Sequence, residues 1–128
     1  MRFILVFTFL FLTLSNPAHA AVEIWKMGDS FFEYSRDPHS KLLIASHCLK
    51  SPCEAKEVLK TVSFKNISSP QLTGGKNPAS ILCQSLHNAQ LVILRNLDGN
   101  ENSFCWFSDQ SSISNGSLES QARINDQK

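Results

Sequence analysis

Four cysteines in this sequence could bind a metal, form disulfides or act as nucleophiles: Cys48, Cys53, Cys83 and Cys105. Thiolates and imidazoles bind zinc, and His87 follows Cys83 by four residues, so one helix would present both side chains on one face. His47 stands beside Cys48 in the other half. However, the C-x4-C spacing is wider than the usual zinc knuckle, and no second close pair occurs. The sequence therefore predicts no metal site and no cofactor.

The first twenty residues have the pattern of an export signal. Arg2 precedes an apolar run over residues 3–14, and Ala18-His19-Ala20 supplies the small residues of a cleavage site. The run is too short to span a bilayer. We therefore expect a signal peptide over residues 1–20, a periplasmic or secreted location, and no membrane span after cleavage.

An even number of cysteines in an exported chain predicts disulfide bonds rather than metal ligation. Four cysteines allow three connectivities. Locality favours the pairs Cys48 with Cys53 and Cys83 with Cys105, because each bridge then lies within one half of the chain. In the chain-entropy model the longer bridge stabilises the fold by about 3 kcal/mol.

Catalytic patterns are missing from the sequence. A Cys–His pair formed by His47 and Cys48 would place the two side chains on opposite faces of a strand. Serines are abundant and Asp109 is available, but no nucleophile-elbow motif accompanies them. The oxygen-rich segment 96–102 has its Gly99 at the wrong place for a calcium loop, which favours a hairpin turn instead. The sequence predicts no catalytic residue.

The apolar pattern of the N-terminal half predicts the elements that carry the first two cysteines. VEIW, FFEY and KLLIAS predict three strands, separated by turns at residues 28–29 and 36–40. Ser51 and Pro52 then mark a helix start, and one apolar stripe extends that helix to about residue 61. The polar segment 63–76, with its Gly-Gly pair, is predicted to be a linker.

The C-terminal half predicts a second helix followed by a β-hairpin. Asn77 is a favourable N-cap and Pro78 a favourable first residue, and the stripe of that helix contains Cys83. QLVILRN and SFCWFSD predict two strands joined by a turn at residues 98–99. A helix across this hairpin brings Cys83 to Cys105. The polar residues 119–128 are predicted to form a disordered tail.

The predicted hairpin carries bulky side chains on both faces. Phe104 and Trp106 point one way and Cys105 the other, so a single helix cannot cover both faces. Either the N-terminal strands cover Phe104 and Trp106, or these residues form a partner surface together with the turn at Asp98 and Gly99.

Charge excludes some classes of partner. Of the twelve Lys and Arg residues, Arg2 lies in the predicted signal peptide, which leaves eleven to balance eleven Asp and Glu. The basic residues are scattered singly or in pairs. No basic patch is therefore available for nucleic acid, which is not predicted as a partner.

Part of the C-terminal half resembles a known family. The segments GKNPASILC (residues 75–83) and FCWFSDQS (104–111) resemble the small bacterial envelope domain of unknown function numbered 333, often labelled a hemolysin. Gln110 stands where that family has Gly, and Ile113 where it has a third Cys. The resemblance covers residues 74–118 and implies a bacterial periplasmic or secreted location without established catalytic residues.

Together these patterns predict one small disulfide-stabilised α+β domain over residues 21–118, with N-terminal strands, two short helices and a C-terminal β-hairpin. The favoured function is a non-enzymatic binding module of the cell envelope, whose partner is another envelope or extracellular protein. The alternative is a secreted inhibitor or effector that acts on a hydrolase through a rigid tip, either the turn at Asp98 and Gly99 or the corner between Cys48 and Cys53. The sequence indicates no oligomeric state.

Overall fold

The computed structural model of the protein describes residues 19–128, so positions 1–18 of the predicted signal peptide lie outside it. The α+β class is confirmed. The strands are β1 (Ala21–Met27), β2 (Ser30–Arg36), β3 (Leu43–Ala45), β4 (Ala89–Asn96), β5 (Glu101–Phe107) and β6 (Ser112–Ser114). The helices are α1 (Glu54–Val58), α2 (Ser69–Leu72), α3 (Pro78–Ser85) and α4 (Asn115–Asp126), and a 3-10 helix, Ser46–Leu49, follows β3.

The six strands form a closed antiparallel barrel in the order β1-β2-β3-β6-β5-β4. The N-terminal half supplies the first three strands and the C-terminal half the last three. The two halves meet at two seams, where Ile44 pairs with Ile113 and where Trp25 pairs with Asn96. Neither half closes a barrel alone, so the halves form one domain.

Large aromatic side chains fill the barrel. Trp25 and Tyr34 pack against Phe104, with ring centroids 5.2 Å and 4.6 Å apart. The Tyr34 hydroxyl is hydrogen-bonded to the Ser112 hydroxyl, and burial raises the pKa of Tyr34 to about 12 in spite of that bond. The N-terminal strands thus cover the hairpin face that carries Phe104, which is fully buried. The alternative prediction, in which Phe104 forms a partner surface, is wrong.

The helices cover part of the outer face of the barrel. Alternation along the strands points Ile113 and Cys105 outward, where α1, α3 and α4 contact β5 and β6 or their neighbours. As predicted, α3 begins with Asn77 as its N-cap, whose side-chain oxygen accepts a hydrogen bond from the Ala79 amide. Cys83 on α3 is fully buried against the barrel.

Two predicted boundaries in the middle of the chain shift. α1 begins at Glu54 with Cys53 as its N-cap, two residues later than the predicted cap Ser51, because the sulfur of Cys53 accepts a hydrogen bond from the Lys56 amide. The predicted linker contains α2, which begins with a capping box formed by Ser68 and Gln71.

The predicted disordered tail is wrong, because residues 115–126 form α4, the longest helix in the described part of the chain. Leu118 and Ala122 lie four residues apart on one face and are fully buried. The Asn125 amide donates to the backbone oxygens of Leu59 and Val62. A few well-placed contacts therefore order a sequence whose composition is mostly polar. Over residues 19–128, no helix has both the length and the apolar character needed to cross a bilayer.

Candidate functional site

All four cysteines are bonded to one another. Cys83 and Cys105 join α3 to β5, and Cys48 and Cys53 join the 3-10 helix to the start of α1. This is the connectivity that locality favours in the sequence. Because every sulfur is already bonded, the cysteines supply neither a zinc-binding thiolate nor a nucleophile.

The barrel has two unlike ends. The hairpin end contains the start of β1, the end of β2 and the β4–β5 turn at residues 97–100. The groove end contains the β1–β2 turn, the start of β4 and the β5–β6 turn at residues 108–111. The two ends therefore present separate surfaces.

Polar side chains close the hairpin end by binding one another. The Arg36 guanidinium lies 2.8 Å from the Glu23 carboxylate, and the Trp25 indole N–H donates to the same carboxylate. Arg36 also donates to the backbone oxygen of Lys41. The polar groups of Glu23 and Arg36 at this end are thus bonded within the protein.

The turn at the hairpin end is closed by two side-chain hydrogen bonds and carries an exposed apolar residue. The Asn96 side-chain oxygen accepts hydrogen bonds from the amides of Asp98 and Asn100. Gly99 adopts a φ of 87°, which glycine reaches without steric cost. Leu97 is 69% exposed at the tip. The predicted turn at Asp98 and Gly99 is confirmed.

The groove end holds an uncharged depression of about 500 Å³. The Phe32 and Trp106 rings meet edge to face in it, with centroids 4.8 Å apart and an angle of 83° between their planes. Met27 and Val92 add further apolar surface, and no lining residue carries a charge. A ligand in this groove would bury apolar groups against two aromatic rings.

Amide side chains surround the groove. Asn88, Gln90 and Gln110 line it and are exposed. Within residues 19–128 these amides make no hydrogen bond to another protein group, in contrast to Asn96 at the hairpin end. Each amide offers both a donor and an acceptor to a neutral polar ligand.

Strained backbone also lies beside the groove. Three described residues other than glycine have a left-handed φ: Lys41 at the hairpin end, and Asn88 and Gln110 at the groove end. Asn tolerates this conformation, whereas Gln has no short side chain that compensates for it, so Gln110 costs roughly 1 kcal/mol. The cost at Gln110 is consistent with a use for its side chain.

Hydrogen bonds tie the rim of the groove to α1. The Asp109 carboxylate accepts from the Glu54 amide at 2.7 Å, and the Ser111 hydroxyl accepts from the Ala55 amide at 3.0 Å. Ser111 also donates to Asp109. Desolvation by partial burial opposes the ionised form of Asp109, but the hydrogen bonds from Ser111 and Glu54 outweigh it and lower the pKa of that carboxyl. The β5–β6 turn is thereby fixed against the helix that the Cys48–Cys53 bridge holds.

The same contacts explain why serine and aspartate here are structural. The Ser111 hydroxyl is fully buried and bonds Asp109 directly, without an intervening histidine. A Ser-His-Asp relay needs the histidine between the two groups. Asp109 and Ser111 therefore act as caps of α1.

The edge of β4 is unpaired at the groove end. β1 pairs with β4 only where Trp25 faces Asn96 and Lys26 faces Arg95. β1 then ends at Met27, whereas β4 extends back to Ala89 and pairs with β5 along its other edge. Over the described chain, residues 89–93 have no strand on the β1 side. The groove lies at the inner side of this fork between β1 and β4.

The predicted partner residues are thus divided among three places. Asp98 and Gly99 lie at the hairpin end, Phe104 in the barrel interior, and Trp106, which is 8% exposed, in the groove. They do not form one surface. Sequence reasoning missed Phe32 and Gln110. A turn that ends in Asp-Gln-Ser where Asp-Gly-Ser would suit the backbone was the one signal that pointed to Gln110.

Comparison with family models, curated proteins and solved structures finds no match for this chain.

Proposed function

We propose that this protein is an exported, non-enzymatic binding module of the cell envelope, which binds its partner at the groove end of the barrel. The observation that carries the proposal is the difference between the ends. The polar groups of Glu23 and Arg36 bind each other at the hairpin end, whereas Phe32, Trp106 and three unbonded amides line an uncharged depression at the groove end.

Three features support an exported protein. Both disulfides are buried and join separate elements, and such bonds persist in oxidising compartments. The predicted signal peptide and the resemblance of residues 74–118 to an envelope domain agree with this location.

The fixed rim of the groove supports binding rather than catalysis. Asp109 and Ser111 cap α1, and the cysteines form bridges, so the most reactive groups near the groove have structural uses. A preformed rim lowers the entropic cost of binding, because fewer side chains and loops become ordered in the complex.

Retrieval of a partner from envelope extract tests the proposal. The oxidised mature protein is immobilised beside Gln90→Glu, which adds a charge at the groove, and Gln84→Glu, which adds the same charge on the exposed side of α3. We expect Gln90→Glu to retain at least fivefold less of the retrieved component, because an uncompensated charge is costly to desolvate. Equal retention by the two variants would contradict the proposal.

One observation favours a second candidate, a secreted inhibitor or effector that acts on a hydrolase. Leu97 projects from a turn held rigid by Asn96, which is a suitable shape for insertion into an enzyme cleft. In the same experiment Leu97→Ser separates the candidates. If that variant alone loses the component, and the component is an enzyme whose turnover the unmodified protein suppresses, the inhibitor is favoured.

A further inference from the structure

We infer that the partner is an extended polypeptide segment that adds as a strand to the unpaired edge of β4 and fills the fork between β1 and β4. This inference rests on the proposed function and specifies the chemistry of the partner at the same groove.

The register identifies the backbone groups that are available. The Asn96 amide donates to the Asn100 oxygen, and β4 pairs with β5 in the same register as far as Ala89. In an antiparallel ladder the residues of one strand direct their N–H and C=O groups alternately to its two sides. The even-numbered residues of β4 therefore face β5, and Leu91 and Ile93 direct their N–H and C=O groups to the unpaired edge. An edge of this kind is a template for another strand.

This edge lacks the protection that exposed edges usually have. Native sheets discourage strand addition with charged side chains, proline or bulges on the edge. Residues 89–93 read AQLVI, with neither a charge nor a proline, and Ile93 is 53% exposed. A sequence that leaves such an edge accessible is suited to pairing with a partner.

The fork also has room for the side chains of a guest strand on both of its faces. The groove lies on the inner side, and a second depression of about 440 Å³ lies on the outer side, lined by Lys26, Ile93 and Arg95 among others. Successive side chains of a strand point to opposite faces. One set would enter the groove and contact Phe32 and Trp106, while the other set would lie over the outer depression.

Charge specifies the outward-facing set. Arg95 is paired with Glu101, whereas Lys26 forms no ion pair within residues 19–128. The guest segment should therefore alternate apolar residues, directed into the groove, with polar residues that include an acidic one near Lys26. A second copy of this chain would offer β4 itself, whose residues 89–93 contain no acidic side chain to face Lys26.

A defined probe tests the inference. The probe is a blocked hexapeptide that alternates valine with threonine or glutamate, and its control is the same peptide with methylated backbone nitrogens. The two indole N–H signals of the protein provide the readout by NMR, because Trp106 lies in the groove and Trp25 lies inside the barrel with its N–H bonded to Glu23. We expect a saturable shift of the Trp106 signal at millimolar peptide, no shift for Trp25, and a response at least tenfold weaker with the methylated peptide.

Two variants of one residue separate backbone pairing from side-chain contact. Ile93→Pro removes the N–H directed to the free edge, at a position where an edge strand tolerates proline. Ile93→Thr changes the side chain and retains the N–H. We expect the proline variant to bind the hexapeptide about fivefold more weakly than the threonine variant, as the loss of one hydrogen bond implies.

The outcomes discriminate between this inference and the proposed function. Equal binding of the methylated and unmethylated peptides, equal binding by the two Ile93 variants, or no response of Trp106 at millimolar peptide would each overturn strand addition. Formation of a dimer that Ile93→Pro abolishes would identify a second copy as the occupant and would also overturn it. In each case groove-dependent retrieval from envelope extract would still support the proposed function, and loss of that retrieval would overturn both.

Discussion

The two ends of the barrel differ in how their strands and polar side chains are arranged. At the hairpin end Glu23, Arg36 and Trp25 satisfy one another, and the β4–β5 turn is closed by the Asn96 side chain. At the groove end β1 and β4 are no longer paired, and aromatic rings line a depression. The hydrogen bonds that stabilise this end lie in the rim around the depression.

The comparison shows where the disulfides and the long-range hydrogen bonds of the fold lie. The Cys48–Cys53 bridge and the bonds from Asp109 and Ser111 to α1 all lie beside the groove, and the Cys83–Cys105 bridge holds the helix that leads into β4. The difference indicates that covalent and hydrogen bonds at the groove end lie on its rim, whereas the polar groups of the hairpin end bind one another.

The largest expected effect separates the barrel interior from the groove. Phe104→Ala removes a fully buried ring that contacts Trp25 and Tyr34, and we expect a loss of about 4 kcal/mol in the free energy of unfolding. Phe32→Ala, at the half-buried groove, should cost about 2 kcal/mol or less. Urea denaturation measures both. Equal losses would show that the groove is packed as tightly as the interior.

The two disulfides differ by the length of chain that they close. Replacing Cys83 and Cys105 with alanine should lower the free energy of unfolding by about 3 kcal/mol, and replacing Cys48 and Cys53 by about 2 kcal/mol, because the closed loop is longer in the first pair. Denaturant titration of the two double variants provides the comparison. A larger loss for the shorter loop would show that the Cys48–Cys53 bridge also stabilises the folded state, beyond restricting the unfolded chain.

Acid should weaken the groove rim through Asp109. Its pKa is lowered in the folded protein, so its contribution to stability is present above the ordinary value of 3.8 and is lost as the pH falls through the lower folded value. At neutral pH we expect Asp109→Asn to be less stable than the unmodified protein by about 1 kcal/mol or less, because solvent screens the exposed carboxylate, with a difference that shrinks as the pH falls below 3.8.

Urea denaturation at several pH values measures this effect. Asp98→Asn at the hairpin end is the matched control, since the Asp98 carboxylate accepts no hydrogen bond from residues 19–128. If the difference in the free energy of unfolding between Asp109→Asn and the unmodified protein stayed constant across the acid range, the ionised Asp109 carboxylate would not stabilise the rim.

The smallest expected effect compares the strained residues of the two ends. Gln110→Gly and Lys41→Gly both relieve a left-handed backbone, and the entropy of glycine in the unfolded state offsets much of the gain. We expect each variant to lie within about 0.5 kcal/mol of the unmodified protein. Only Gln110→Gly should weaken retrieval of the partner. Loss of retrieval with Lys41→Gly as well would mean that the binding surface is not confined to the groove end.

Much of the local structure could be predicted from the sequence because local rules govern it. Branched and aromatic residues predicted the strands, Asn77 and Pro78 the start of α3, and Asp98-Gly99 the hairpin turn. The pairing of Cys83 with Cys105 followed from a helix placed across that hairpin. Each of these inferences uses contacts within one half of the chain.

The remainder depends on contacts between distant segments. The barrel closes through two seams between the halves, and short strands such as β6 give a weak pattern of their own. α4 is ordered by Leu118 and by contacts of Asn125 with residues 59–62, which composition does not reveal. The groove depends on how far β1 and β4 overlap. That overlap is a matter of register, which the sequence alone leaves open.

Amide hydrogen exchange along β4 in the free, oxidised protein tests most directly whether the edge of β4 is unpaired at the groove end. We predict that the N–H groups of Leu91 and Ile93 exchange rapidly, while those of Val92 and Leu94, bonded to β5, and of Arg95, paired with β1, are protected. Slow exchange at Leu91 and Ile93, comparable to that of Val92, would show that the edge is already occupied and would contradict the account.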